Sequence, residues 1–161
     1  MAITVNGYIA KENNETPWSD EEWSIFSSFI KERRNIIIGR NTYNLMKEEN
    51  EFDKIGNPVV VVISKNKIID ENIISVSSPK QAIDILKEKG FDIVVIAGGG
   101  QLNSSFLKEG LVDEIYLDVE PLIFGKGIKL FSDDDFDVKL ELLDVGKMSQ
   151  NLVQLHYKVL K

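Results

Sequence analysis

Four β-branched residues, Ile93, Val94, Val95 and Ile96, run through Ala97 into three consecutive glycines, Gly98, Gly99 and Gly100. Gln101 and Leu102 follow, and Leu102, Phe106 and Leu107 then recur at helical spacing. A continuous apolar run of this length is predicted to be a strand buried on both faces. A strand that turns through glycines into a helix leaves several backbone N–H groups unpaired, carrying about half a positive charge at the helix start. Because glycine has no Cβ, an anion can reach those groups, and phosphate is the expected guest. The competing reading is a tight strand–helix turn without a ligand.

Two further strand ends have the same character. Residues 35–38 form an apolar strand ending at Gly39, Arg40, Asn41 and Thr42, with a short helix starting near Tyr43, Leu45 and Met46. Pro58 introduces a third strand, 59–63, which ends at Ser64 and Lys65. Ligands of open α/β sheets bind beyond the carboxyl ends of the strands. Side by side, these three ends would make one trough for an extended, multiply phosphorylated ligand. Arg40 offers forked contacts to a phosphate and Lys65 a point charge. A 2′-phosphate target would favour NADPH over NADH, although either cation alone reads equally well as a solvated surface charge. The Rossmann fingerprint G-x-G-x-x-G is not met, because Asn103 stands where the third glycine belongs and the motif occurs late in the chain.

The remaining chain supplies the frame. Residues 3–5 are a short strand running into the Asn6-Gly7 turn, 8–10 are again apolar, and 47–57 reads as a polar loop. Residues 73–76 are a short strand, Pro79 opens a helix that Gly90 stops, and 114–119 is a strand. Residues 138–142 and 153–159 alternate apolar with polar, as antiparallel strands with one wet face do, and 132–137 is a solvated loop. The pattern predicts one α/β domain over 1–161, with a mostly parallel central sheet, antiparallel C-terminal strands and flanking helices.

After Pro17 and Trp18, Ser19 starts a helix with Glu22 three residues on, the capping-box spacing. Capping alone would account for Glu22. It also shares a helical stripe with Phe26, Phe29 and Ile30, and a carboxylate held against apolar side chains has its pKa raised by desolvation. Such a group can bind the amidine-like edge of a heterocycle and help supply a proton near neutral pH. Asp20 is the second choice for that role.

A net charge of −7 with no basic patch argues against nucleic acid. There is no cysteine, and the single histidine, His156, reads as an exposed strand residue, so no metal site is expected. No apolar run reaches the roughly 18 residues of a membrane span, and the N-terminus does not read as a signal peptide. A cytoplasmic protein acting on a small molecule, as a monomer or homodimer, is the expectation.

Taken together, these stretches resemble the dihydrofolate reductase superfamily, which includes the reductase domain of riboflavin biosynthesis. The resemblance runs over nearly the whole chain, through ITVNGYIA at 3–10, Pro17-Trp18, IGRNTY at 38–43, VIS at 62–64, IAGGG at 96–100, DEI at 113–115 and the Pro121 to Phe131 segment. It implies NADPH as hydride donor. Gly39, Arg40, Asn41, Thr42, Ser64 and Lys65 would surround the adenosine phosphates, and Ala97 to Leu102 the pyrophosphate. Glu22 and Trp18 match the family's catalytic acid and active-site tryptophan, while Ile3, Thr42, Phe26 and Glu22 would face the substrate. Reduction of 7,8-dihydrofolate to tetrahydrofolate, in one-carbon metabolism, is the first expectation. A riboflavin-pathway reductase acting on a ribosylaminopyrimidine phosphate is the alternative, and a non-catalytic dinucleotide-binding module the third. Asn57-Pro58 stands where dihydrofolate reductases place an arginine for the folate carboxylate, and the Pro121 segment looks more like the riboflavin-type enzymes.

Overall fold

The computed structural model describes residues Met1–Lys161. In chain order it contains β1 (Ala2–Thr4), β2 (Tyr8–Ala10), α1 (Asp20–Arg33), β3 (Asn35–Gly39), α2 (Arg40–Glu48), α3 (Glu51–Lys54) and β4 (Val59–Ile63). There follow β5 (Ile73–Val76), α4 (Pro79–Glu88), α5 (Gly100–Lys108), β6 (Glu114–Glu120), β7 (Ile128–Lys129), β8 (Lys139–Lys147) and β9 (Val153–Leu160). The α/β domain read from the sequence is present, with its sheet divided. β3, β4 and β5 are parallel neighbours, whereas β1, β6, β9 and β8 form a mixed sheet in that order. β2 and β7 pair separately and antiparallel.

The core sits on both faces of the parallel strands. Ile36, Ile38, Val60 and Val62 point to one side, where Ile30 of α1 and Tyr43 and Met46 of α2 cover them. Ile37 and Val61 point to the other, against Ala82 and Leu86 of α4 and Leu102 and Phe106 of α5. These strands are buried on both faces, which is why they read as unbroken β-branched runs rather than as alternation.

Three readings of the sequence are corrected. Residues 93–96 pack towards both faces, Val94 and Ile96 beside Ile37 and Val61, and Val95 with Ala97 beside Ile36 and Ile38, but they do not form a continuous, fully buried strand. They run beside β3, through Ile37 N–H to Val95 O (2.7 Å) and Ala97 N–H to Ile37 O (3.0 Å), with one isolated bridge at Ile96. Only that edge is paired, so Ile93 is 51% exposed and the next three residues are half-buried. The Asn35 amide completes the seam, donating to Ile93 O at 2.8 Å and accepting from Val95 N–H at 3.0 Å. The loop expected over 47–57 holds the end of α2 and the short α3, whose Phe52 packs beside Tyr43. His156 is less exposed than expected: it stacks on Tyr116 at 3.9 Å and meets Glu114 at 2.8 Å.

Candidate active site

Two of the four longer helices begin with a capped N-terminus and two do not. Ser19 Oγ accepts from Glu22 N–H at the start of α1, and Ser78 Oγ from Gln81 N–H at the start of α4. α2 and α5 start from Gly39 and Gly99, with no side-chain cap and no acidic residue in the first turn. These two starts are neighbours, because Gly39 N–H donates to Gly98 O at 2.9 Å. Two sets of free N–H groups, both at positive helix ends, therefore lie together on one rim, an arrangement suited to a diphosphate.

The glycines there serve different purposes. Gly98 has φ +90°, a backbone region that side chains disfavour. A Cβ on Gly99 would lie 3.8 Å from Thr42 Oγ1 and from Ile9 Cδ1, which is ordinary contact, so this position is open. At Gly100 a Cβ would collide with the carbonyl oxygen of Lys129. Close approach at Gly100 is thus made by the protein's own backbone, not by a ligand. Asn103 Nδ2 donates to Leu130 O at 2.9 Å and locks the same junction. The side chain of Leu102 enters the core and Gln101 faces solvent, so backbone N–H groups are what these two residues offer the rim.

Arg40 joins the ends of β3 and β4. Its Nε donates to Ser64 Oγ at 2.7 Å and its Nη2 to Asn66 O at 2.6 Å, leaving Nη1 without a protein partner. Lys65 is exposed and lines an open cavity of about 490 Å³ with Ser64, Lys67, Ser77 and Gln81. Lys67 was missed in the sequence reading, although a second lysine two residues after Lys65 was the available signal. Asn41 is exposed and Thr42 half-buried beside Gly99.

Glu22 lies on the buried side of α1 and is 3% exposed. The capping box that would have occupied it is not made with Glu22. Ser19 N–H and Oγ–H both donate to Glu120 instead, at 2.9 and 2.6 Å, so the cap's reciprocal acceptor comes from β6. The Glu22 carboxylate is left without a hydrogen-bond donor from the protein. Burial pushes its pKa up to about 7; the N-terminal ammonium of Met1 opposes this, while the nearby Asp118 and Glu120 carboxylates add to it. Asp118, 4% exposed, accepts from Gln154 at 2.8 Å and lies 3.5 Å from the Met1 ammonium. Asp118 and Glu120 were missed in the sequence reading. Their signal was a set of carboxylates, Glu114, Asp118 and Glu120, at even positions of the strand and hence on one face.

Trp18 stacks on Phe124 at 6.2 Å, and Tyr8 flanks Phe124 at 6.5 Å, so the loop after β6 closes over the loop before α1. Phe26 is half-buried against Trp23 at 5.7 Å. Ile3 is packed into a small core with Ile9 and Leu130, so its side chain is not free to meet a ligand and only its backbone remains. The structure brings Gly39, Thr42 and Gly98–Gly99 into one rim and ties Arg40 to Ser64. Glu22 belongs to a second group with Asp118 and Glu120, held to β1 by strand pairing.

The model of the RibD C-terminal domain matches residues 1–154. The chain belongs to the RibD C-terminal domain family. It is 32% identical to the YwjB protein of Bacillus subtilis (strain 168), over 98% of this chain and 94% of that one. Among solved structures it resembles a Shewanella sp. PV-4 protein named for riboflavin biosynthesis, with a TM-score of 0.81 and 23% identity over 100% of this chain and 97% of that one. Acinetobacter baumannii RibD gives a TM-score of 0.76 at 17% identity, with 99% of this chain covering 56% of that one. The family lies within the dihydrofolate reductase-like superfamily, and the fold is that of its reductase domains. Its reductases use NADPH. These likenesses favour the riboflavin-type alternative over the dihydrofolate reading placed first from the sequence.

Proposed function

We propose that this chain is an NADPH-dependent reductase whose substrate is a ribosylated aminopyrimidine phosphate, with Glu22 as the acid at the reacting heterocycle. The observation that carries the reading is the largely buried Glu22 side chain, whose carboxylate accepts no hydrogen bond from the protein and is freed from capping by Glu120. The rim fits the cofactor on its own terms, with two uncapped helix starts for the pyrophosphate and no side chain blocking Gly99. Arg40, tied to Ser64, and Lys65 and Lys67, which line the cavity beside Ser64, would serve the 2′-phosphate.

NADPH supplies the hydride. Amides of Arg40 and of the Gly100–Leu102 turn would hold the diphosphate, and the open position at Gly99 would give it room. Glu22, protonated near neutral pH, donates to the heterocycle edge or holds a proton there as charge develops. Trp18, Phe124 and Tyr8 exclude water from that end. A pterin substrate is the second reading, favoured by the Trp18–Glu22 arrangement.

NADPH oxidation measured separately with a ribosylaminopyrimidine phosphate and with dihydrofolate separates the two. Turnover is expected with the pyrimidine. Turnover with dihydrofolate alone would reverse the order, and NADPH binding without turnover of either would leave a cofactor-binding module.

A further inference from the structure

A second cavity, of about 540 Å³, opens at the amino ends of β4 and β5, whereas the glycine rim lies at the carboxyl ends of the strands. The reduction proposed above makes no use of it. Part of its lining is a locked set of buried polar groups. Tyr43, 4% exposed, donates from its hydroxyl to Asp70 Oδ2, and the Asp70 side chain is 10% exposed. Lys47 Nζ donates to the same carboxylate oxygen at 2.6 Å and to the Tyr43 oxygen at 3.1 Å. Asn72 N–H donates to Asp70 Oδ1 at 2.9 Å. The other polar side chains of the lining, Asn50, Asp53, Asn57 and Asn72, make no hydrogen bond to the protein. Phe52, Pro58 and Ile73 supply apolar surface and are only half-buried.

We propose that this cavity binds the ring of a neutral sugar, free or as part of a nucleoside. The chemistry of the lining disfavours the other classes in turn. An anion would meet Asp53 and Asp70, and the one cation of the lining, Lys47, is already paired with Asp70. A metal ion would lack ligands, because no group of three acidic or histidine side chains is gathered to hold one. A wholly apolar guest would strip water from three amides and a carboxylate without replacing those hydrogen bonds. A hydroxyl both donates and accepts. Several on one ring suit the amides of Asn50, Asn57 and Asn72, and can donate to Asp53 and to the remaining lone pair of Asp70 Oδ1. The C–H face of the same ring would cover Phe52 and Pro58. The volume falls within the roughly 300–1,000 Å³ of small-molecule sites.

Titrating D-ribose into the isotope-labelled whole chain, without NADPH, tests this by amide chemical shifts. Backbone amides of Asn50–Asp53 and Asn72–Ile73, with the side-chain amides of the three asparagines, should shift and saturate at a dissociation constant of about 1–10 mM. Inorganic phosphate should move none of them. Uridine separates the two sources of the sugar: tighter binding than ribose assigns a nucleoside, and equal or weaker binding a free sugar. Asn72→Ala and Asp53→Ala, at exposed positions with negative φ, should each weaken ribose about three- to tenfold and leave NADPH binding unchanged. Failure of this site is thereby distinct from failure of the rim. Ribose shifts that never saturate, or phosphate shifts at the same amides, would overturn the proposal. Ribose affinity indifferent to both substitutions would do the same.

Discussion

Replacing Glu22 by Gln should stabilise the protein, and the gain should depend on pH. In the folded state the carboxyl titrates near 7 rather than at the ordinary value of 4.5, because burial disfavours its charge and Asp118 and Glu120 add to that. At about 1.4 kcal/mol per pH unit, ionising the buried group costs about 3 kcal/mol. The sign follows from proton binding. Between 4.5 and about 7 the folded state holds more protons at this position than the unfolded state, so stability falls as pH rises through that window. Below 4.5 Glu22 is neutral in both states and the cost is absent. Glutamine is neutral throughout and nearly isosteric, and its amide can donate to Asp118 or Glu120. Urea unfolding of the two proteins should therefore give nearly equal free energies at pH 4, after which the variant's advantage should grow to about 3 kcal/mol by pH 8. An advantage independent of pH, or a loss that grows with pH, would show that Glu22 is solvated or paired, and the acid assigned to the site would go with it.

Arg40→Ala should weaken NADPH binding about 10- to 100-fold while changing NADH little, a charge-assisted contact from the free Nη1 to phosphate being worth about 1.5–3 kcal/mol; equal losses, by fluorescence titration, would place the 2′-phosphate elsewhere. Gly100→Ala should lower the melting temperature sharply, since its Cβ meets the Lys129 carbonyl, whereas Gly99→Ala should fold normally and bind NADPH less well. The opposite ranking in thermal melts would refute the separate duties given to these glycines. Glu120→Gln should cost about 1 kcal/mol through a weaker Ser19 cap and should also lower the Glu22 pKa by removing a nearby negative charge. A carboxyl-carbon NMR titration reads that shift directly, and an unmoved titration would separate Glu120 from Glu22.

The parallel half of the fold was legible because β3 and β4 are buried on both faces and nothing competes with their apolar signal. The same signal misled at residues 93–96, where the composition of a central strand occupies a segment paired on one edge only. Composition reports what a segment could bury, not which neighbours it has. The rim was legible for a related reason: strand–turn–helix punctuation is local, and Gly39 and Gly98–Gly99 announce it. The acid was half legible. Spacing located Glu22, but whether it capped the helix depended on Glu120, 98 residues later in the sequence, and no local pattern carries that pairing. Trp18 and Phe124 meet by the same kind of long-range closure.

Amide chemical shifts during an NADPH titration test the central claim most directly. The largest changes are expected at Arg40–Thr42 and Gly98–Leu102, with smaller ones at Lys65 and Lys67 and along the first turn of α1. Changes gathered instead around the cavity lined by Tyr43, Lys47 and Asp70, at the opposite ends of the same strands, would contradict it.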